Sequence, residues 1–334
     1  MPSGFTLLLV IVLVLAVVFD YANGFHDTAN AIATSVSTRA LRPHYAILMS
    51  AAANFIGALT GTAVATTIAK GIATTPAGGA GQVVVAAALV GGITWDIVTW
   101  RLGIPSSSSH ALIGGLIGAA IAASGVGALN VIGIVEKVVV PLILSPILGV
   151  VVGFALMVVL LNILRRGHPR RLNDRFRRLQ LLSAAFMAFS HGSNDAQKTM
   201  GIVTLALVAG GILAEPVVPV PVILMAATAM AFGTAAGGWR IIRTMGQRVV
   251  KLDPVHGFAA ETTAATIILT ASTFGMPVST THVISSAIMG VGASDRFSAV
   301  RWGVAGNIAI AWILTIPASA AVSWIAWEVL SRFL

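Results

Sequence analysis

Two short polar motifs each occur twice in this chain, in the same order and at nearly the same spacing. Nothing else in the sequence limits the fold as much. Gly24-Phe25-His26-Asp27-Thr28-Ala29-Asn30 aligns with Gly192-Ser193-Asn194-Asp195-Ala196-Gln197-Lys198, an offset of 168 (24 to 192). Gly103-Ile104-Pro105, followed by Ser106, Ser107, Ser108, Ser109 and His110, aligns with Gly275-Met276-Pro277, followed by Val278, Ser279, Thr280, Thr281 and His282, an offset of 172 (103 to 275). Two unrelated signatures at nearly one offset point to a duplication. The halves are read as 1–164 and 179–334. Between them, 165–178 is a loop holding Arg165, Arg166, Arg170, Arg171, Arg175, Arg177 and Arg178.

Composition places this duplication in a membrane. Of 334 residues 57% are apolar and 9% charged, with a mean hydropathy of +0.94. A soluble domain carries about 25% charged residues, so most of this surface faces something other than water. A spanning helix needs about 20 apolar residues. Apolar blocks run at 5–38, 45–69, 82–101, 107–124 and 131–164, and again at 179–213, 217–238, 254–274, 278–293 and 299–330. The expected class is an all-α polytopic membrane protein. Polar runs at 20–30 and 190–198 predict breaks inside the first and sixth blocks, tolerated where backbone is buried or lines a wet cavity. The Gly-x-Pro-Ser/Thr passages predict two helical hairpins whose tips turn inside the membrane, Gly and Pro ending one helix and Ser/Thr capping the next.

With three crossings plus a returning hairpin in each half, the number of crossings is odd and the second half is inverted. The positive-inside rule puts 165–178 in the cytoplasm, with Arg39, Arg42, Arg240, Arg243, Arg248 and Lys251 on the same side. Both termini then lie outside the cell membrane. Met1–Val18 has no Lys or Arg, so it reads as a retained first span rather than a signal peptide. Inverted repeats with broken helices near the midplane are the architecture of secondary transporters, working by alternating access. Unused apolar faces on 131–164 and 299–330 suggest a homodimer. The absence of cysteine excludes disulfides and thiolate or iron–sulfur sites. The net charge of +9 is gathered between apolar blocks, not interleaved with aromatics, which speaks against nucleic acid.

Asp27 and Asp195 occupy equivalent intramembrane positions, where a carboxylate is costly and points to function. Asp20, Asp96 and Glu261 lack symmetry partners; Glu261 lies deep in a hairpin arm. At the tips, free backbone N–H groups and the positive helix end make an anion site. The hydroxyls of Ser106, Ser107, Ser108, Ser109, Ser279, Thr280 and Thr281 add donors, and two tips meeting would hold a tetrahedral oxyanion. A coupling cation on the carboxylates would offset their repulsion. A protonated phosphate can also donate its O–H to a carboxylate, which sulfate cannot, so phosphate is favoured over sulfate or another oxyanion. His26, His110, His191 and His282 lie in or beside the motifs, with Asn23 nearby, as supporting groups. Ser109 and His110 are adjacent and no G-x-S-x-G run occurs, which argues against an intramembrane protease and any enzyme. A passive anion channel is the nearer rival, since it can dispense with paired carboxylates.

GFHDTAN at 24–30, IPSSSSH at 104–110, HGSNDAQK at 191–198 and MPVSTTH at 276–282 resemble the inorganic phosphate transporter (PiT) family, and its bacterial low-affinity permeases in particular. The resemblance spans nearly the whole chain. It implies that the Asp motifs and both hairpin tips converge on phosphate and coupling ions, with Asp27, Asn30, Asn194 and Asp195 matching the motif positions and sodium at Asp27, Asn30 and Asp195. It also implies no further cofactor beyond a proton or sodium, with a divalent metal travelling alongside phosphate. The family's sodium-coupled pattern is similar to G-x-N-D-x-A-N in both halves. Here His26 and Lys198 depart from it, and an ammonium three residues after Asp195 would occupy a sodium position. The expectation is proton-coupled phosphate import rather than sodium-coupled.

Overall fold

A computed structural model describes residues 7–333; the remaining residues of the expected first span, 1–6, lie outside it. The described residues form helices joined by short turns. The first half contains α1 (Leu7–Ser37), α2 (Pro43–Ala58), α3 (Ala63–Gly71), α4 (Gly79–Leu102), α5 (Ser108–Ser124) and α6 (Val131–Leu164). The second contains α7 (Pro169–Ala209), α8 (Val220–Ala236), α9 (Trp239–Arg248), α10 (Pro254–Thr273), α11 (Thr280–Asp295) and α12 (Trp302–Leu330). Four of these, α1, α4, α6 and α12, are long and apolar enough to cross a membrane, and two bent pairs, α2–α3 and α8–α9, qualify as single broken spans. The chain is a multi-pass membrane protein, and the large apolar side chains on the outer faces of α6 and α12 are exposed accordingly.

The halves interlock. α1 packs on α8 as α7 packs on α2, and α5 packs on α12 as α11 packs on α6. Close contact between such helices requires small residues, and the motif glycines supply them. A Cβ on Gly24 would lie 2.3 Å from the Met230 carbonyl oxygen, and one on Gly192 2.2 Å from that of Asn54.

Each hairpin turns in the same way. Gly103 (φ 66°) and Gly275 (φ 67°) take the left-handed conformation that a side chain disfavours. Around them Ile104 N–H donates to Thr99 and Gly103 N–H to Trp100, as Met276 donates to Ala271 and Gly275 to Ser272. These closures end α4 and α10 and satisfy their last carbonyls. Two residues past each proline a serine caps the next helix: Ser107 Oγ accepts from His110 N–H and Ser279 Oγ from His282 N–H, both at 3.2 Å.

Two expectations need correction. The polar runs at 20–30 and 190–198 do not interrupt their helices: α1 is continuous over 31 residues and α7 over 41. Their polar side chains face protein, so the backbone has no reason to break. Bends occur instead at the α2–α3 and α8–α9 junctions, of 67° and 60°. The segment 165–178 is also mostly not a loop. Only 165–168 connects helices, and the arginines from Arg170 onward ride on the first turns of α7.

Candidate functional site

The motif faces of α1 and α7 meet at the centre of the bundle, with the two hairpin tips alongside. Asp27, His191 and Asp195 are fully buried and present ligand atoms within 4.8 Å of one another. His191 Nε2 lies 3.2 Å from Asp195 Oδ2 and 4.0 Å from Asp27 Oδ2. Its other ring nitrogen, Nδ1, is 3.0 Å from Asn54 Oδ1, while Asn54 Nδ2 donates to Thr234. With the Asn54 oxygen as acceptor, Nδ1 carries a hydrogen. Nε2 therefore either carries a second proton between the two carboxylates or offers its lone pair to a cation held with them. Either way the arrangement calls for one positive charge between Asp27 and Asp195.

Lys198 supplies another. Its ammonium, reaching one turn along α7, donates to Asp195 Oδ1, to Ser109 Oγ on the first tip and to the Val278 carbonyl on the second at 3.0 Å. The second tip returns the contact: Thr280 Oγ1 donates to Asp195 Oδ2 at 3.1 Å. Asn30 Nδ2 donates to Thr281 Oγ1 at 2.9 Å and to Thr280 Oγ1 at 3.3 Å. The rings of His110 and His282 lie 4.8 Å apart, where the tips of the two halves meet.

Each expected residue has a place in this picture. His26 bridges Asp27 (2.6 Å) and Thr99 (3.1 Å), and Ser106 donates to Thr99 at 2.9 Å. Ser107 and Ser279 each use an oxygen lone pair as a cap, which leaves their O–H groups able to donate. Ser108 Oγ is buried beside the Asp96 carboxylate. Asn194 Nδ2 donates to Ser272 Oγ at 2.9 Å. The side-chain oxygens of Asn23, Asn30 and Asn194 are buried and accept no hydrogen bond, as expected of oxygens that a cation would satisfy. Glu261 lies apart from this cluster. It accepts from Thr34, Gln180 and Ser183 and knits α1, α7 and α10 together. Asp20 likewise accepts from Thr199 across α1 and α7 at 2.6 Å. Thr99, Asn54 and Ser272, which orient His26, His191 and Asn194, escaped the sequence reading. None of the three belongs to a repeated motif, and the partner each orients lies far off in sequence, so nothing local marks it.

The motifs differ in one ordered way. At four and one residues before the aspartate, the first half has Asn23 and His26, the second His191 and Asn194. The halves thus exchange histidine and asparagine, and each supplies one imidazole and one amide.

A sequence profile described as the phosphate transporter family matches residues 23–323, which takes in both motifs and both tips. The chain belongs to the phosphate transporter family. A probable low-affinity inorganic phosphate transporter of Bacillus subtilis is 48% identical over 326 residues, covering 97% of this chain and 98% of that protein. One from Rhizobium meliloti, named in the same words, is also 48% identical, over 95% of this chain and 94% of its own length. Among solved structures, one titled "The sodium-dependent phosphate transporter" superposes with a TM-score of 0.88 at 25% identity, over 98% of this chain and 100% of that one. The relatives and the fold are those of phosphate transporters, not enzymes.

Proposed function

We propose that this phosphate transporter imports inorganic phosphate by symport with a cation, through a site near the membrane midplane where its two halves meet. The observation that carries the reading is Lys198, whose ammonium joins the second-motif carboxylate to both hairpin tips at once. A tetrahedral anion seated between the tips would find the free N–H groups of two helix starts and the ammonium. Asp27, Asp195, His191 and the amide oxygens of Asn23, Asn30 and Asn194 are the groups for the coupling cation.

That cation is a proton in this reading. Lys198 already neutralises one oxygen of Asp195, leaving a carboxylate–imidazole–carboxylate row that a single proton completes. The sodium-dependent neighbour marks the alternative that the experiment must separate. The second half is read as inverted, with the arginine-rich face cytoplasmic and both termini outside. Tip and core helices of one half would rock against the other, opening the site to each side in turn. Phosphate is preferred over sulfate because Asp27 and Asp195 can accept an O–H that sulfate lacks. Radiolabelled phosphate uptake by proteoliposomes, challenged with excess sulfate, tests this. Saturable uptake that sulfate leaves intact is expected; equal competition by sulfate would overturn the choice of substrate.

A further inference from the structure

On the face that carries the arginine-rich segment, four cations from four elements line one cavity of about 560 Å³. Arg39 follows α1, Arg177 lies near the start of α7, Lys251 follows α9, and Arg301 precedes α12. None of the four pairs with a carboxylate among the described residues. The one carboxylate in the wall, Asp253, is engaged elsewhere. It accepts from the backbone N–H groups of Val255 and His256 at 2.9 and 3.0 Å and sits 2.8 Å from His256 Nδ1. Four positive charges therefore face a polar cavity against one negative charge that is already in use.

Arg39 adds an independent sign. Its φ of 60° makes it the one described non-glycine residue in the left-handed region. It closes α1 at the position helices usually give to glycine: Ala40 and Leu41 N–H groups donate back to the Ser35 carbonyl. An arginine held there against that preference keeps a guanidinium at the cavity mouth. The cavity is also separate from the central cluster. It begins at Ser37, seven residues past Asn30, or about 10 Å along the helix.

We propose that this cavity is a second anion site that binds a phosphate group through Arg39, Arg177, Lys251 and Arg301. Guanidinium forks match phosphate oxygens in pairs, and basic pockets at the ends of membrane helices suit phospholipid headgroups. A headgroup phosphate and a free phosphate share this chemistry. The cavity's charge is independent of what the central site carries. An anion bound here ties elements of both halves together and so stabilises their relative placement.

The test compares the purified wild type with Arg39→Gln/Arg301→Gln and Arg177→Gln/Lys251→Gln. Arg165→Gln/Arg166→Gln, on the same face but outside the cavity, serves as control. Equilibrium dialysis with radiolabelled inorganic phosphate in detergent counts free-phosphate sites. The thermal midpoint in phosphatidylglycerol against phosphatidylcholine nanodiscs reports the headgroup. The expected result is that both cavity variants lose one arm's response, with affinity down about tenfold or more, while the control keeps it. Loss of one phosphate per chain identifies free phosphate; loss of the phosphatidylglycerol-dependent midpoint identifies lipid. Asp27→Asn must leave this difference intact, which keeps failure here distinct from failure of the central site. The proposal is overturned if the wild type responds in neither arm, if folded cavity variants respond as the wild type does, or if the control loses as much as they do.

Discussion

Replacing Lys198 with asparagine should turn this protein toward sodium. The Lys198 ammonium is buried to within 1% of full exclusion and binds Asp195, Ser109 and the Val278 carbonyl. Removing one partner of such a pair costs about 3–5 kcal/mol, because the remaining charge stays buried and unpaired. Asparagine puts an oxygen where the first half has Asn30, and a sodium ion entering there would meet Asp195 Oδ1. At a hundred times its dissociation constant that ion would restore about 2.7 kcal/mol, a large part of the loss. The assay is the thermal midpoint of purified Lys198→Asn in sodium chloride against choline chloride at one ionic strength, paired with uptake in the same salts. Lys198→Met, of similar length but without a ligand oxygen, is the control. The expectation is a sodium-dependent midpoint and sodium-dependent uptake for the asparagine variant alone, with the methionine variant destabilised in both salts. If sodium alters neither readout for Lys198→Asn, the idea that Lys198 substitutes for a cation is wrong.

Other consequences follow from the same geometry. Asp27→Asn and Asp195→Asn should each abolish uptake while the protein still inserts and purifies as a folded species; uptake above one-tenth of wild type would remove that aspartate from the coupling role. Gly24→Val and Gly192→Val each drive a side chain into a backbone carbonyl across a helix crossing. Overpacking of this kind costs about 1–3 kcal/mol or more, so monodisperse yield on size exclusion should fall, whereas Gly306→Ala, in open space, should leave it unchanged. Asp253 caps α10, and its replacement by alanine should cost about 1 kcal/mol. Burial alone would raise its pKa, but the hydrogen bonds and charge of His256 outweigh this and hold it below the usual carboxylate range. A depressed folded-state value means that the stabilisation is present above the unfolded pKa and fades as pH falls through the folded one. The thermal-stability gap between wild type and Asp253→Ala should therefore be full at neutral pH and close in acid; a gap that widened in acid would contradict the assignment.

The hairpin tips were legible because their signals are local. Gly in the left-handed conformation, Pro next but one and a capping Ser each act within a few residues, so Gly103–Ser107 and Gly275–Ser279 could be read from composition and order. The paired aspartates were legible because the duplication places them at one offset. Continuity of α1 and α7 was not, since a polar run inside an apolar block looks the same whether it breaks a helix or faces other protein. Thr28 illustrates the second case: its hydroxyl donates to the Gly24 carbonyl and toward that of Thr234 without disturbing the helix. The bend at 237–238, by contrast, has a local basis in Gly237-Gly238, with Gly237 in the left-handed region (φ 73°), a signal the motif reading did not use. Lys198 was recognised from its place in the motif, but its reach to both tips depends on the meeting of α7, α5 and α11 in space.

The central claim is that phosphate held between the hairpin tips crosses together with a proton carried by the Asp27–His191–Asp195 cluster. The most direct test is radiolabelled phosphate uptake into proteoliposomes under an imposed proton gradient or an imposed sodium gradient, each with and without magnesium. Concentrative uptake driven by the proton gradient alone is the predicted result. Uptake driven only by sodium, or uptake that never exceeds equilibrium under either gradient, would contradict it.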